Sequence, residues 1–175
     1  MFEGAWLTAD SVGMEDGSVD ESAGSVSFEE LLLVHQDLDE LFLRHQEALL
    51  DRDVPMADSL LGRFQTGIKA HIRLEEDHLL PLFARAGVIR GAQPELFQGE
   101  HRKILLFLQD FRDALAEKAG DPSHLTRRIL ALFDREAMFK HLMEHHDLRE
   151  KNVLYPTLDQ VTTLAERRAL LRSQP

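Results

Sequence analysis

Residues 71–81 read His-Ile-Arg-Leu-Glu-Glu-Asp-His-Leu-Leu-Pro, and residues 146–156 read His-Asp-Leu-Arg-Glu-Lys-Asn-Val-Leu-Tyr-Pro. In both, a Glu follows the His by four residues and a Pro follows the Glu by six. His71/Glu75/Pro81 and His146/Glu150/Pro156 therefore superimpose without a gap. Each copy also has a His well upstream, His35 for the first and His101 for the second. One His-x-x-x-Glu is common by chance, whereas a repeated one with matching flanks is not.

Working outward, the apolar residues recur at helical spacing. Leu31, His35, Leu38, Phe42, His45 and Leu49 share one stripe, introduced by a capping box at Ser27 and Glu30. Asp53-Val54-Pro55 starts a second helix, with Pro where its missing N–H costs nothing. Its inner stripe is Leu60, Phe64, Ile68, His71, Glu75 and Leu79, and Pro81 should kink or end it. A third helix from Pro94 aligns Phe97, His101, Ile104, Leu108, Phe111 and Leu115. Gly120-Asp121-Pro122 precedes a fourth, lined by Ile129, Leu132, Glu136, Phe139, Met143, His146, Glu150 and Val153. Thr157 and Gln160 form another capping box for a last helix ending near Arg172.

The expectation is an all-α, up-down-up-down four-helix bundle over residues 27–157. A short C-terminal helix over 158–175 and a flexible acidic N-terminal segment over 1–26 complete the chain. Residues 1–26 carry six acidic residues and no Lys or Arg.

Composition narrows the function. A net charge of −11 over 175 residues argues against binding nucleic acid or an anionic membrane surface. The absence of Cys excludes disulfides, thiolate nucleophiles, Fe–S clusters and Cys-based zinc sites. No apolar run has the length of a membrane span, and the first residues lack the basic start of a signal peptide. A soluble cytoplasmic protein is expected.

On a helix, residues four apart stack on one face. His71 with Glu75, and His146 with Glu150, can each offer a nitrogen and a carboxylate to a single point. All six candidates, with His35 and His101, lie on apolar stripes. Unpartnered carboxylates there would cost several kcal/mol each, on the order of a lost buried polar pairing. Metal cations satisfy carboxylates and imidazoles together. Six side chains serve two cations if both Glu bridge, with positions left for a small exogenous ligand. Imidazole and carboxylate donors suit iron, with manganese or zinc as alternatives. Other metal schemes fit less well: there is no His-Glu-x-x-His, and Glu-x-x-His occurs only at Glu75/His78.

These segments resemble the hemerythrin-like family, also called HHE cation-binding domains, over residues 28–157. The family carries an upstream His and a later His-x-x-x-Glu-Glu…Leu-Phe-Pro in each half. Here these are His35 with His71…Glu75-Glu76…Leu80-Pro81, and His101 with His146…Glu150-Lys151…Leu154-Tyr155-Pro156. The resemblance implies an up-down four-helix bundle holding two bridged, non-haem iron ions. Lys151 departs from the usual second Glu. Leu105 stands where oxygen-carrying members place another His, which counts against simple oxygen carriage. Members that repair iron–sulfur clusters carry an N-terminal Cys, which this chain lacks.

The functional expectation is a di-iron protein that binds or senses O2, peroxide, nitric oxide or iron itself. The alternative is a metal-dependent regulatory module that recruits a protein partner or a second copy of the chain without turnover. His141 and His145 are the remaining sources of a fifth imidazole. His45 reads as a core or pocket-lining residue, and Glu136 as a buried carboxylate seeking a basic partner. Tyr155 reads first as packing at the bundle end, with an approach to the cluster as the alternative; Glu76 and His78 read first as exposed, with a supporting or spare-ligand role as the alternative.

Overall fold

In the computed structural model, which describes residues 26–118 and 124–172, the apolar stripes become seven helices. They are α1 (Leu32–Leu50), α2 (Val54–Leu74), α3 (Leu80–Phe83), α4 (Pro94–Lys118), α5 (Leu125–Arg149), α6 (Tyr155–Val161) and α7 (Leu164–Arg172). No strand occurs among the described residues, so the all-α expectation holds. The four long helices close a ring of packing: α1 on α2, α2 on α4, α4 on α5 and α5 on α1. Among the described residues no helix is long and apolar enough to cross a membrane. The expected acidic segment lies outside the described residues except for Val26, as does the Gly120-Asp121-Pro122 turn.

Local chemistry sets the helix ends. Asp53 caps α2 by accepting the Met56 N–H at 3.0 Å, with Pro55 in the first turn. Ser27 caps a short 3-10 turn (Phe28–Leu31), accepting from the Glu29 N–H and donating to Asp159 at 2.5 Å. This ties the start of α1 to α6. The expected cap at Thr157 is not formed, because α6 already runs through Thr157. The reciprocal cap lies six residues on: Thr163 N–H donates to Glu166 at 2.8 Å, and Glu166 N–H donates to the Thr163 hydroxyl at 3.2 Å. The same Thr-x-x spacing occurs at both places, but only at Thr163 is a helix starting.

Neither Pro81 nor Pro156 ends its helix. Each follows a five-residue π turn, Glu75–Leu79 between α2 and α3, and Glu150–Leu154 between α5 and α6. Leu80 N–H reaches the Glu75 carbonyl, and Tyr155 N–H reaches the Glu150 carbonyl, five residues back rather than four. A Pro N–H is missing from the ladder just beyond, and the wider turn accommodates the loss.

The core has two apolar parts. Phe42, Phe64, Phe111 and Phe139 centre one, with Phe42–Phe139 and Phe42–Phe64 ring centroids 5.1 and 5.2 Å apart. Phe28, Leu79, Phe83, Phe97, Leu154 and Leu158 build the other. On each long helix the candidate ligands fall between the two. His35 lies between Leu31 and Leu38, His101 between Phe97 and Ile104, and His146/Glu150 between Met143 and Leu154. His71/Glu75 likewise lies between Ile68 and Leu79. A polar layer thus divides one continuous bundle interior.

Phe139 touches four other Phe rings, Phe42, Phe64, Phe107 and Phe111, and is 1% exposed. Phe139→Ala should lower unfolding stability by about 3–5 kcal/mol, measured by urea denaturation with the helical signal as readout.

Candidate metal centre

Each His-x-x-x-Glu pair sits where its helix passes from α to π winding. His71 is in the last turn of α2 and Glu75 opens the first π turn; His146 and Glu150 repeat this from α5. His35 comes from α1 and His101 from α4. All six side chains are buried, and both carboxylates are 0% exposed.

The structure brings the six together as two groups that share the carboxylates. His35 Nε2 and His71 Nε2 are 3.0 Å apart, with Glu150 Oε2 3.1 Å from His35 and Glu75 Oε1 3.6 Å from His71. On the other side, His101 Nε2 is 3.1 Å from Glu75 Oε2, and His146 Nε2 is 2.6 Å from Glu150 Oε1. Each carboxylate therefore turns one oxygen to each imidazole pair. Glu75, His101, His146 and Glu150 offer donor atoms all within 4.8 Å of one another, as do His35, His71 and Glu150.

These distances fit cations. Donors bonded to one ion at about 2.1 Å and held 90–110° apart are about 3.0–3.4 Å from each other. Two imidazole nitrogens 3.0 Å apart can share at most one proton, but both lone pairs can point to one ion. His146 Nε2 and Glu150 Oε1 are close yet neither makes a hydrogen bond.

The outer nitrogens show a difference between the halves. His101 Nδ1 donates to Glu76 at 2.8 Å, and His146 Nδ1 donates to Glu100 at 3.1 Å. Glu100 is itself paired with Arg149. These carboxylates fix ring orientation and leave each Nε2 lone pair facing inward. In the other half, His35 Nδ1 and His71 Nδ1 have no hydrogen bond. The repeat explains why. Lys151 occupies the position matching Glu76, and Val34 occupies the position matching Glu100. Asp147, 3.6 Å from His35 Nδ1, is the nearest substitute.

Electrostatics follow the same contacts. Burial pushes Glu150 upward, but the charge of His146 and contacts from His146, His35 and His71 outweigh it and hold the carboxyl well below its usual range. Burial pushes His146 down, yet Glu150 and Glu100 raise it well above an ordinary imidazole. His71 is raised despite burial by Glu75 and Glu150. Burial pushes Asp147 up to about 6.

Several residues are placed differently from expectation. Tyr155, for which bundle-end packing was the first expectation and approach to the cluster the alternative, is fully buried, and its hydroxyl lies 3.1 Å from Glu150 Oε2, 3.3 Å from His35 Nε2 and 3.4 Å from Glu75 Oε1. Glu76 takes the supporting role that was the alternative to exposure and holds His101. Glu100 and Asp147 carried no helical signal apart from sitting next to His101 and His146. His141 and His145 are exposed and pair with each other at 3.2 Å, away from the cluster. His45 and Glu136 form a separate buried pair at 3.0 Å. There His45 Nδ1 donates to the Ala57 carbonyl, and Gln46 donates to the second Glu136 oxygen. A cavity of about 440 Å³ between α1 and α5, floored by Phe42, Phe64, Phe139 and Met143, ends at Asp147 on the outer side of His35.

An all-α bundle with a buried His/Glu cluster of this geometry is, by class, a helical cation-binding domain. The chain belongs to the hemerythrin family, matching the hemerythrin HHE cation binding domain over residues 26–158. Comparison with curated proteins and with solved structures returned no match.

Without metal, protons must stand in for cations, and this fixes the pH response. His71 and His146 are raised, so their stabilisation is present below the usual imidazole value of 6.5 and is lost as pH rises through their folded values. Asp147, raised from 3.8 to about 6, acts with the same sign. Glu150 is lowered, so its contribution holds above 4.5 and is lost as pH falls. Metal-free protein should melt highest at roughly pH 5–6.5 and at falling temperature above that window. A metal-free melting profile that keeps rising toward pH 8 would contradict this proton assignment.

Proposed function

We propose that the cluster is a carboxylate-bridged, non-haem di-iron centre that binds or senses a small ligand, O2, peroxide or nitric oxide, or iron itself. His35 and His71 would hold one ion, His101 and His146 the other, with Glu75 and Glu150 bridging. The observation that carries this reading is the orientation of the two carboxylates, each with one oxygen toward each imidazole pair. Ferrous iron bound there would supply redox chemistry and open coordination positions. Imidazole and carboxylate donors suit iron, with manganese or zinc competing for the same site.

The chain's own residues hold the donors ready. Glu76 and Glu100 keep the Nδ1 protons of His101 and His146 engaged, so only Nε2 faces inward. Phe97 stands 6.3 Å from the His146 ring, and Phe97, Leu79 and Leu154 are wholly buried around the cluster's outer end. That apolar wall keeps bulk water away and limits entry to small ligands.

Anaerobic Fe(II) loading followed by desalting and elemental analysis should give about two irons per chain, equal to one per imidazole pair. At a hundredfold excess over Kd, binding to the folded state alone adds about 2.7 kcal/mol. A melting rise of roughly 5–10 °C follows for a chain of this size. No bound iron and no melting shift would refute the reading. Glu100→Gln should weaken one of the two ions by about 10–100-fold and spare the other, because Glu100 supports His146 alone. Calorimetric titration distinguishes this from a uniform loss.

A further inference from the structure

The half of the cluster whose imidazoles lack outer carboxylates is the half that Tyr155 enters. Tyr155 is the only tyrosine of the chain. Its hydroxyl approaches three donor atoms, Glu150 Oε2, His35 Nε2 and Glu75 Oε1, and all three belong to the His35/His71 side. In an α-helix a residue five positions after Glu150 would be turned about 140° away from it. The π turn Glu150–Leu154 removes that offset and sets Tyr155 beside Glu150 on the inner face.

We infer that Tyr155 is a fifth side-chain donor to the cation held by His35 and His71, so that a small exogenous ligand binds at the His101/His146 cation instead. This rests on the di-iron reading above.

Three arguments support it. First, a phenol has one proton, so it cannot donate to two carboxylate oxygens at once, and an imidazole nitrogen competes for the same place. A cation at the shared centre satisfies all of them. Second, the separations suit one ion. Seven donor–donor distances among Tyr155, His35, His71, Glu75 and Glu150 lie between 3.0 and 3.9 Å. That is below the roughly 4.2 Å of two donors on opposite sides of an ion with 2.1 Å bonds. Third, the repeat gives the other half no equivalent. Leu80 matches Tyr155, and Leu105 follows His101 by one turn; neither can bind a metal. Five donors then serve one ion and four the other, which leaves the open positions on the His101/His146 side.

In metal-free protein the phenol keeps its proton, because burial and the charges of Glu150 and Glu75 raise it well above 10. A cation reverses that balance by taking the proton's place, and the proton leaves to solvent.

The test uses the full chain, loaded with Fe(II), oxidised with ferricyanide and examined by visible absorption and resonance Raman. A ferric phenolate gives a charge-transfer band with phenolate ring modes, which here can arise only from Tyr155. The expected result has three parts: two irons with those modes in the wild type, complete loss of the modes in Tyr155→Phe with two irons retained, and azide binding to the wild type without displacing them. The wild-type spectrum decides the ligation even if the variant folds poorly. Two irons without phenolate modes, or azide taken up only in Tyr155→Phe, would overturn the inference and leave the di-iron reading standing. Absence of bound iron would overturn both.

Discussion

Two carboxylates with no exposure to solvent govern this structure. Glu75 and Glu150 sit at the boundary between the two apolar parts of the core, and neither has a Lys or Arg partner among the contacts that reach it. An isolated carboxylate in such surroundings is costly, so the bundle must deliver compensating charge to that layer. It delivers four imidazoles, one from each long helix. The helices cannot slide or rotate independently without separating a carboxylate from its imidazoles. The polar layer therefore sets the register for both apolar parts.

The pair formed by His45 and Glu136 is an internal comparison. It uses the same residue types at the same burial, yet its hydrogen bonds close among His45, Gln46, Glu136 and the Ala57 carbonyl. No oxygen of Glu136 is left without a partner, and no second imidazole converges on it. Burial of His and Glu alone does not mark a cation site. Buried donor atoms without hydrogen bonds, within a cluster to which four helices contribute, do, as at His146 Nε2 and Glu150 Oε1.

Much of this was legible in the sequence because helical periodicity and a gapless repeat are both linear properties. The all-α class follows from stripes such as Phe97/His101/Ile104/Leu108, and the six His and Glu residues follow from the repeat itself. What periodicity could not show was a change of winding. The π turns that open at Glu75 and Glu150 shift every later residue on the helix face. The Thr157 cap failed because α6 begins at Tyr155 and already runs through Thr157. Glu100 was missed, and the partner of Glu76 could not be named, because His146 and His101 lie on other helices and no local pattern reports a contact between helices.

The two halves share the same types of imidazole and carboxylate and differ in the residues around them. Glu76 and Glu100 support the imidazoles of one half, while Lys151 and Val34 at the matching positions leave His35 and His71 without hydrogen bonds at Nδ1. An imidazole whose outer nitrogen donates to a carboxylate is a stronger, better-oriented donor. By that measure the His35/His71 half is the weaker one. It is also the half that receives the hydroxyl of Tyr155, where the other copy has Leu80. The missing outer carboxylates and the Tyr155 hydroxyl thus fall on the same half. A symmetric repeat would give two equivalent positions; these three differences, Lys151, Val34 and Tyr155 where the other half has Glu76, Glu100 and Leu80, make the two halves unequal.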